Sequence, residues 1–78
     1  MDRRESSYRK LTPREKEVLI WASQGKTAWE TSVILSISKN TVITHLRNAR
    51  YKLNAANGAH AITKAALRQD IMLSHLDK

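Results

Sequence analysis

The sequence contains no cysteine among its 78 residues. Disulfide bonds and thiolate metal sites are therefore excluded, and the composition is compatible with a reducing compartment. No apolar run approaches the roughly 20 residues that a membrane-spanning helix needs, and no signal-peptide pattern opens the chain. The length suffices for one small domain but not for two. We therefore expect a single intracellular domain without a membrane partner.

Carboxylates are missing from a long internal stretch. Residues 31–69 contain no Asp or Glu, whereas the whole chain carries a formal net charge of +7. A solvated surface normally mixes both signs of charge, so a surface of one sign indicates attraction to phosphate polymers or acidic membranes. Ordinary solvation by basic side chains is the alternative interpretation. The basic residues of this stretch are Lys39, Arg47, Arg50, Lys52, Lys64 and Arg68.

Signals of catalysis are also absent. The sequence has no glycine-rich phosphate loop and no pair of acids placed near a histidine. His45, His60 and His75 lie 15 residues apart, which is not the spacing of metal ligands on one element. The pattern disfavours an enzyme, and we expect no metal, no cofactor and no small-molecule ligand within this chain.

Helix start signals divide the chain into four helices. Thr12-Pro13-Arg14-Glu15 and Thr27-Ala28-Trp29-Glu30 each place a threonine cap three residues before a glutamate, which predicts two capping boxes. Gly25 predicts the end of the first helix. A second helix to about Leu35, a turn at 36–38 and a third helix over 39–53 follow, and the fourth begins near Asn57 and continues to about Leu73. No strand alternation is present, so the sequence predicts an all-α fold.

Two helices joined by a short turn, the second of them basic and amphipathic, are typical of a helix-turn-helix. The fourth helix shows two apolar stripes, and we expect one to pack on the domain and the other on a partner. The first stripe comprises Ile62, Ala66, Gln69 and Leu73, and the second comprises Thr63, Leu67 and Ile71. We assign residues 1–10 to a flexible basic arm or linker remnant, 11–74 to the helix-turn-helix domain and 75–78 to a tail.

The outward face of the third helix contains an unexpected isoleucine. If the buried stripe consists of Val42, Leu46, Ala49 and Leu53, Ile43 points away from the core, among polar and basic neighbours. In a helix-turn-helix this face enters the DNA major groove, where an apolar side chain packs on a thymine methyl and arginine hydrogen-bonds guanine. Ile43 and Arg47 fit these two tasks, although single apolar residues are common on protein surfaces.

Helix N-termini and nearby cations supply candidate phosphate contacts. Backbone amides at a helix start bind anions, and a neighbouring lysine strengthens the site. Trp29 is ambiguous, because a tryptophan at helical spacing is more often buried than in contact with a ligand. The candidates for phosphate contact are Lys26, Thr27, Trp29, Lys39, Thr41, His45, Arg50 and Lys52.

Several motifs occur in one order along the chain. They are LTPRE at 11–15, GKT at 25–27, Thr41-Val42 followed by His45, and Lys52-Leu53-Asn54. In this order and spacing the sequence resembles the C-terminal helix-turn-helix domain of LuxR-type transcription factors (the LuxR/NarL/FixJ group), from about Leu11 to Ile71. The GKTAWE segment is most similar to the quorum-sensing branch of that group.

The resemblance implies a four-helix, tetrahelical domain that binds a dyad operator in double-stranded DNA as a homodimer, in the bacterial cytoplasm and at the nucleoid. It implies base contacts from Ile43, Thr44 and Arg47, which we call the reading face. It also implies a dimer interface on the last helix, which fits the stripe of Thr63, Leu67 and Ile71. No cofactor is implied.

The chain departs from the family pattern at two positions and in its length. Thr31 replaces a usual aliphatic residue and is expected to loosen the second helix, and Gly58 replaces a usual basic residue at the start of the fourth. The ten residues before Leu11 cannot hold a regulatory domain, so we expect either a stand-alone member or an excised domain.

An alternative keeps the fold and changes the task. The chain would act through protein partners, as a heterodimeric antagonist of a full-length regulator or as a sigma-like module that contacts RNA polymerase. A pure antagonist does not need a reading face, and here that face is intact. Adhesion to membranes is disfavoured because the apolar faces are narrow and interrupted.

Overall fold

The computed structural model describes residues 9–73 and contains four helices in that range. They are α1 (Pro13–Ser23), α2 (Ala28–Leu35), α3 (Lys39–Leu53) and α4 (Gly58–Leu67). No strand occurs in this part of the chain, which confirms the all-α prediction. Most of the predicted arm, Ser74 and the predicted tail lie outside the described residues. None of the helices within 9–73 has the length and hydropathy needed to cross a membrane.

The predicted helix starts are confirmed by their hydrogen bonds. The Glu15 amide donates to the Thr12 hydroxyl at 3.1 Å, and the Thr12 amide donates back to the Glu15 carboxylate at 2.9 Å. Thr27 and Glu30 form the same capping box, with distances of 3.0 and 2.8 Å. The side chains of Ser38 and Asn57 cap α3 and α4. These bonds satisfy amides that a helix start leaves without intrahelical partners.

All four helices end in the same hydrogen-bond motif. A backbone amide shortly after each helix donates to a carbonyl five residues earlier: Lys26 to Trp21, Ile37 to Ser32, Ala55 to Arg50 and Asp70 to Ala65. The residue before each of these donors has a positive φ, and it is glycine only after α1. This is the Schellman motif, in which a left-handed residue satisfies the last carbonyls of a helix.

The end of α4 differs from the prediction. We expected this helix to continue to about Leu73, but it ends at Leu67 because Gln69 adopts φ 66° and reverses the chain. The most deeply buried side chains of α4 are Ala61 and Ala65, so the predicted stripe that starts at Ile62 lies at the margin of the buried face. The segment after α4 returns to the core instead of extending the helix.

The core forms where α3 packs against α1, α2 and α4. Leu19 of α1 belongs to the same buried cluster as Ala49 and Leu53 of α3, and the cluster also includes Ala61 and Ala65. Thr31 of α2 is buried, and its hydroxyl donates to the Thr27 carbonyl at 2.9 Å. The buried hydroxyl of Thr31 is therefore hydrogen-bonded, and the expected loosening of α2 stays a prediction. The position of α3 is therefore fixed by contacts with all three other helices.

Candidate nucleic-acid interface

The reading face lies on the first half of α3. Thr44 and Arg47 are exposed, and Ile43 is 39% exposed. Ser38 orients the start of this helix, since its hydroxyl accepts the Thr41 amide at 3.0 Å. The face is therefore available to a ligand, with a rigid helix beneath it.

Ile43 is exposed, as its position in the sequence predicts, and it also lines a groove together with Leu19, Ala22 and Ile62. Its apolar character thus has an intramolecular reason beside the proposed thymine contact. The part that remains exposed still belongs to the surface of Thr44 and Arg47.

Most of the candidate phosphate contacts lie on the surface. Lys26, Thr27 and Trp29 are exposed near the start of α2, and Lys39 and Thr41 are exposed at the start of α3. Arg50 is also exposed, and His45 is half-buried. The Thr27 hydroxyl accepts the Glu30 amide and the Thr27 amide donates to the Glu30 carboxylate, so the donor that Thr27 can offer to an anion is its hydroxyl proton. The hydrogen bond from the Thr27 backbone lowers the pKa of the Glu30 carboxyl.

Lys52 forms an ion pair that competes with its predicted phosphate contact. Its ammonium lies 2.9 Å from the Glu15 carboxylate, and the Glu15 side chain is only 4% exposed. Burial by itself would raise the pKa of Glu15, but hydrogen bonds from the Thr12 backbone and from Lys52 outweigh burial and lower it. The phosphate contact of Lys52 stays a prediction, and because the lysine compensates a buried charge we leave it out of the set of phosphate contacts proposed below.

Lys64 has a positioning role that the sequence analysis did not identify. Its ammonium donates to the carbonyl oxygens of Leu53 at 3.2 Å and Asn54 at 3.1 Å, at the end of α3. A cation at this point satisfies terminal carbonyls and complements the negative end of the helix. A lysine eleven residues beyond a helix end carries no sequence signal of this contact.

The residues of the predicted dimer stripe do not all lie on the surface. Leu67 is 78% exposed and Thr63 is exposed, whereas Ile71 is only 6% exposed and belongs to the core. The turn at Gln69 places Ile71 inside, so Ile71 is a core residue and not part of an interface. Met72, which was not predicted, is 80% exposed close to Leu67 in sequence.

A second exposed apolar surface lies on α2. Trp29 is 63% exposed, and Val33, one turn later, is also exposed. Trp29, which the sequence left ambiguous, is therefore on the surface, and its phosphate contact stays a prediction. Among residues 9–73, no group of three or more His, Cys, Asp or Glu side chains is placed to hold a metal ion.

Comparison with known proteins assigns this arrangement to a family. The family model of bacterial regulatory proteins of the luxR family matches residues 9–65. The chain therefore belongs to the luxR family and carries its helix-turn-helix DNA-binding domain of transcriptional regulators. Proteins of this family are regulators and not enzymes. The resemblance described from the sequence is confirmed.

The chain is similar to individual regulators and to a solved structure. It is 61% identical over 56 residues to the HTH-type quorum sensing-dependent transcriptional regulator RpaR of Rhodopseudomonas palustris. The aligned region covers 72% of this chain and 23% of RpaR. The chain is 48% identical over 66 residues to the transcriptional activator protein LuxR of Aliivibrio fischeri, covering 85% and 26%. The structure of the transcription factor GerE superposes with a TM-score of 0.79 at 28% identity, covering 85% of this chain and all of GerE. The chain spans about a quarter of the length of these curated relatives.

Proposed function

We propose that the chain is a sequence-specific transcriptional regulator that binds a dyad operator in double-stranded DNA as a homodimer, with α3 in the major groove. One observation carries the proposal: the exposed face of α3 is cationic and contains no acid. The guanidinium groups of Arg47 and Arg50 make no hydrogen bond or ion pair within residues 9–73. Guanidinium groups without a protein partner favour an anionic polymer as ligand.

Base reading is assigned to Ile43, Thr44 and Arg47. Arg47 donates two hydrogen bonds to guanine O6 and N7, and the exposed part of Ile43 packs on a thymine methyl. Phosphate contacts then fix the register of α3 without reading sequence. The proposed phosphate contacts are Lys26, Thr27, Trp29, Lys39, Thr41, His45 and Arg50.

Dimerisation is assigned to the exposed side of α4. Leu67 and Met72 are large apolar side chains that water surrounds in the single chain, and Thr63 lies one turn before Leu67. Burying them against a second copy removes apolar surface from water. In such a dimer a two-fold axis relates the two copies of α3, so the operator would also need dyad symmetry.

The named relatives include quorum-sensing regulators, and we propose a role for this chain in the same kind of regulation, in the bacterial cytoplasm and at the nucleoid. A second candidate is contact with RNA polymerase through α2. The exposed pair of Trp29 and Val33 favours a protein partner, since aromatic and aliphatic side chains concentrate at the centres of protein interfaces. Trp29→Ala separates the two roles: loss of DNA affinity assigns Trp29 to phosphate, and loss of activated transcription alone assigns it to a partner.

Selection of bound sequences from a random duplex library at about 0.15 M salt tests the main proposal. We expect recovery of a palindrome whose half-sites are separated by about one helical turn. Arg47→Ala serves as the control, and its selected half-site should lose preference at one base pair. Absence of enrichment with the native chain would favour the partner-binding role instead.

A further inference from the structure

A groove opens between α3 and the first turns of α4, next to the reading face. Its floor consists of Leu19, Ala22 and Ala61, and its walls include Ile43 and Ile62. The space amounts to about 570 Å³ and is mainly apolar. Sites for small molecules in proteins have volumes of about 300–1,000 Å³ and combine an apolar lining with a few polar groups.

The polar side chains at this groove are two cations. Arg47 and Arg50 line it, and neither guanidinium group forms an ion pair or a hydrogen bond within the described residues. No acidic residue lines the groove, and none occurs between residues 31 and 69. An apolar floor beneath two uncompensated guanidinium groups is complementary to a molecule with an apolar body and one anionic end.

Against our expectation from the sequence that this chain holds no small-molecule ligand, we propose that the α3–α4 groove binds an amphipathic carboxylate, an aliphatic chain of medium length with its carboxylate held by Arg47 and Arg50. The tail covers the exposed part of Ile43 and the half-buried side chain of Leu46. Each buried methylene group adds to the affinity, and the guanidinium pair selects the charged end.

Such a ligand and DNA exclude each other. Ile43 and Arg47 belong both to the groove and to the proposed reading face, so a carboxylate bound there occupies groups that the operator needs. Two ligands that compete for the same groups are linked negatively. This consequence rests on the proposed function, whereas occupation of the groove does not.

Titration with octanoate, followed by amide chemical shifts of the full chain, tests the groove without DNA. We expect saturable shifts that centre on Ile43, Leu46 and Ile62. Acetate lacks the tail and 1-octanol lacks the charge, so each should bind at least about tenfold more weakly. Equal binding of 1-octanol, or equal shifts with acetate, would overturn the assignment to Arg47 and Arg50 or to the apolar floor.

A matched pair of alanine variants locates the site. Ala59 lines the groove and is exposed, whereas Ala56 is exposed outside the lining. Ala59→Leu should fill the mouth of the groove and reduce octanoate binding at least tenfold, and Ala56→Leu should leave it unchanged. Octanoate binding that Ala59→Leu does not weaken would place the ligand elsewhere and refute the proposal. A change of oligomeric state in Ala59→Leu by sedimentation velocity would assign the groove to a second copy.

The competition is measured with a mixed-sequence duplex at about 0.05 M salt, so no operator is needed. Octanoate at ten times its dissociation constant should raise the apparent Kd for the duplex about tenfold. The Ala59→Leu variant should bind the duplex with a Kd within twofold of that of the native chain, and octanoate should not change this Kd. Octanoate that saturates the groove without weakening DNA binding would refute mutual exclusion. Failure of the duplex to bind at all would instead overturn the proposed function, and the titration without DNA would still decide the groove.

Discussion

The ammonium of Lys52 lies 2.9 Å from the same carboxylate oxygen of Glu15 that accepts the Thr12 amide. One carboxylate therefore completes the cap of α1 and holds the last turn of α3. Because α3 carries the reading face, the angle of that helix depends on a charge in the first turn of α1.

Glu15→Gln should lower the free energy of unfolding by about 2 kcal/mol. The amide can still accept the Thr12 amide, so the change removes mainly the charge that compensates partly buried Lys52. Urea unfolding measures the effect. Glu17→Gln is the matched control, because its 2.8 Å pair with Arg14 is exposed and should contribute less than about 1 kcal/mol. Equal losses in the two variants would contradict the role of burial.

Stability should fall in acid through Glu15. The pKa of this carboxyl is lowered in the folded chain from its ordinary value of 4.5. The stabilisation is therefore fully present above pH 4.5 and is lost as the pH falls below that value towards the lowered pKa. Unfolding midpoints measured between about pH 6 and pH 3 should decline less steeply in Glu15→Gln than in the native chain. Parallel declines would show that other groups dominate.

Lys52→Gln and Lys39→Ala should separate two roles of lysine. Lys39 is a proposed phosphate contact, so its loss should reduce the slope of log affinity against log salt by about one. Lys52 neutralises Glu15, so its loss should lower stability and leave the slope unchanged. Fluorescence anisotropy over a salt series measures both slopes. A reduced slope in Lys52→Gln would restore Lys52 to the phosphate contacts.

Arg47→Ala should weaken binding to the selected operator by about 1–3 kcal/mol and relax the preference at one base pair. Competition with operators changed at single positions measures that preference. Thr44→Ala removes a small polar side chain one turn earlier on the same face, and its loss of operator affinity provides a comparison for that of Arg47→Ala. An unaltered preference profile in Arg47→Ala would remove this residue from base reading.

The caps and the helix order could be predicted from sequence because they depend on side chains within three residues of the backbone they bind. Thr12, Thr27 and Ser38 are examples. The pairing of Lys52 with Glu15 joins residues 37 positions apart, and no local pattern reports it. The end of α4 was mispredicted for a different reason. Apolar residues continue at helical spacing through Ile71 and Leu73, and the left-handed residue that stops the helix is a glutamine, which gives no breaker signal.

The candidate site was predictable in part for the same physical reasons. Periodicity put Thr44 and Arg47 on one exposed face of α3, as the structure has them. It could not show that Ile43 also walls a groove, because Leu19 and Ile62 approach from other helices. Nor could it show that Ile71 folds back into the core.

Leu67→Asp should weaken dimerisation and, with it, operator affinity, because it places a charge on the proposed interface. Sedimentation velocity and anisotropy measure the two effects. Val33→Asp makes the same change on the exposed face of α2 and should leave self-association unaltered. A Leu67→Asp variant that dimerises normally would place the interface elsewhere.

The guanidinium of Arg68 donates to the carbonyl oxygen of Arg9 at 2.7 Å, and its Nε lies 3.0 Å from the Asp70 carboxylate. The segment before α1 is thus held by Arg68, the residue that follows Leu67. This contact lies at the C-terminal end of α4, whereas the groove lies at its N-terminal end. A displacement of Arg9 would therefore act directly on the C-terminal end of α4, where we propose that two copies meet, and only indirectly on α3, which we propose to bind DNA.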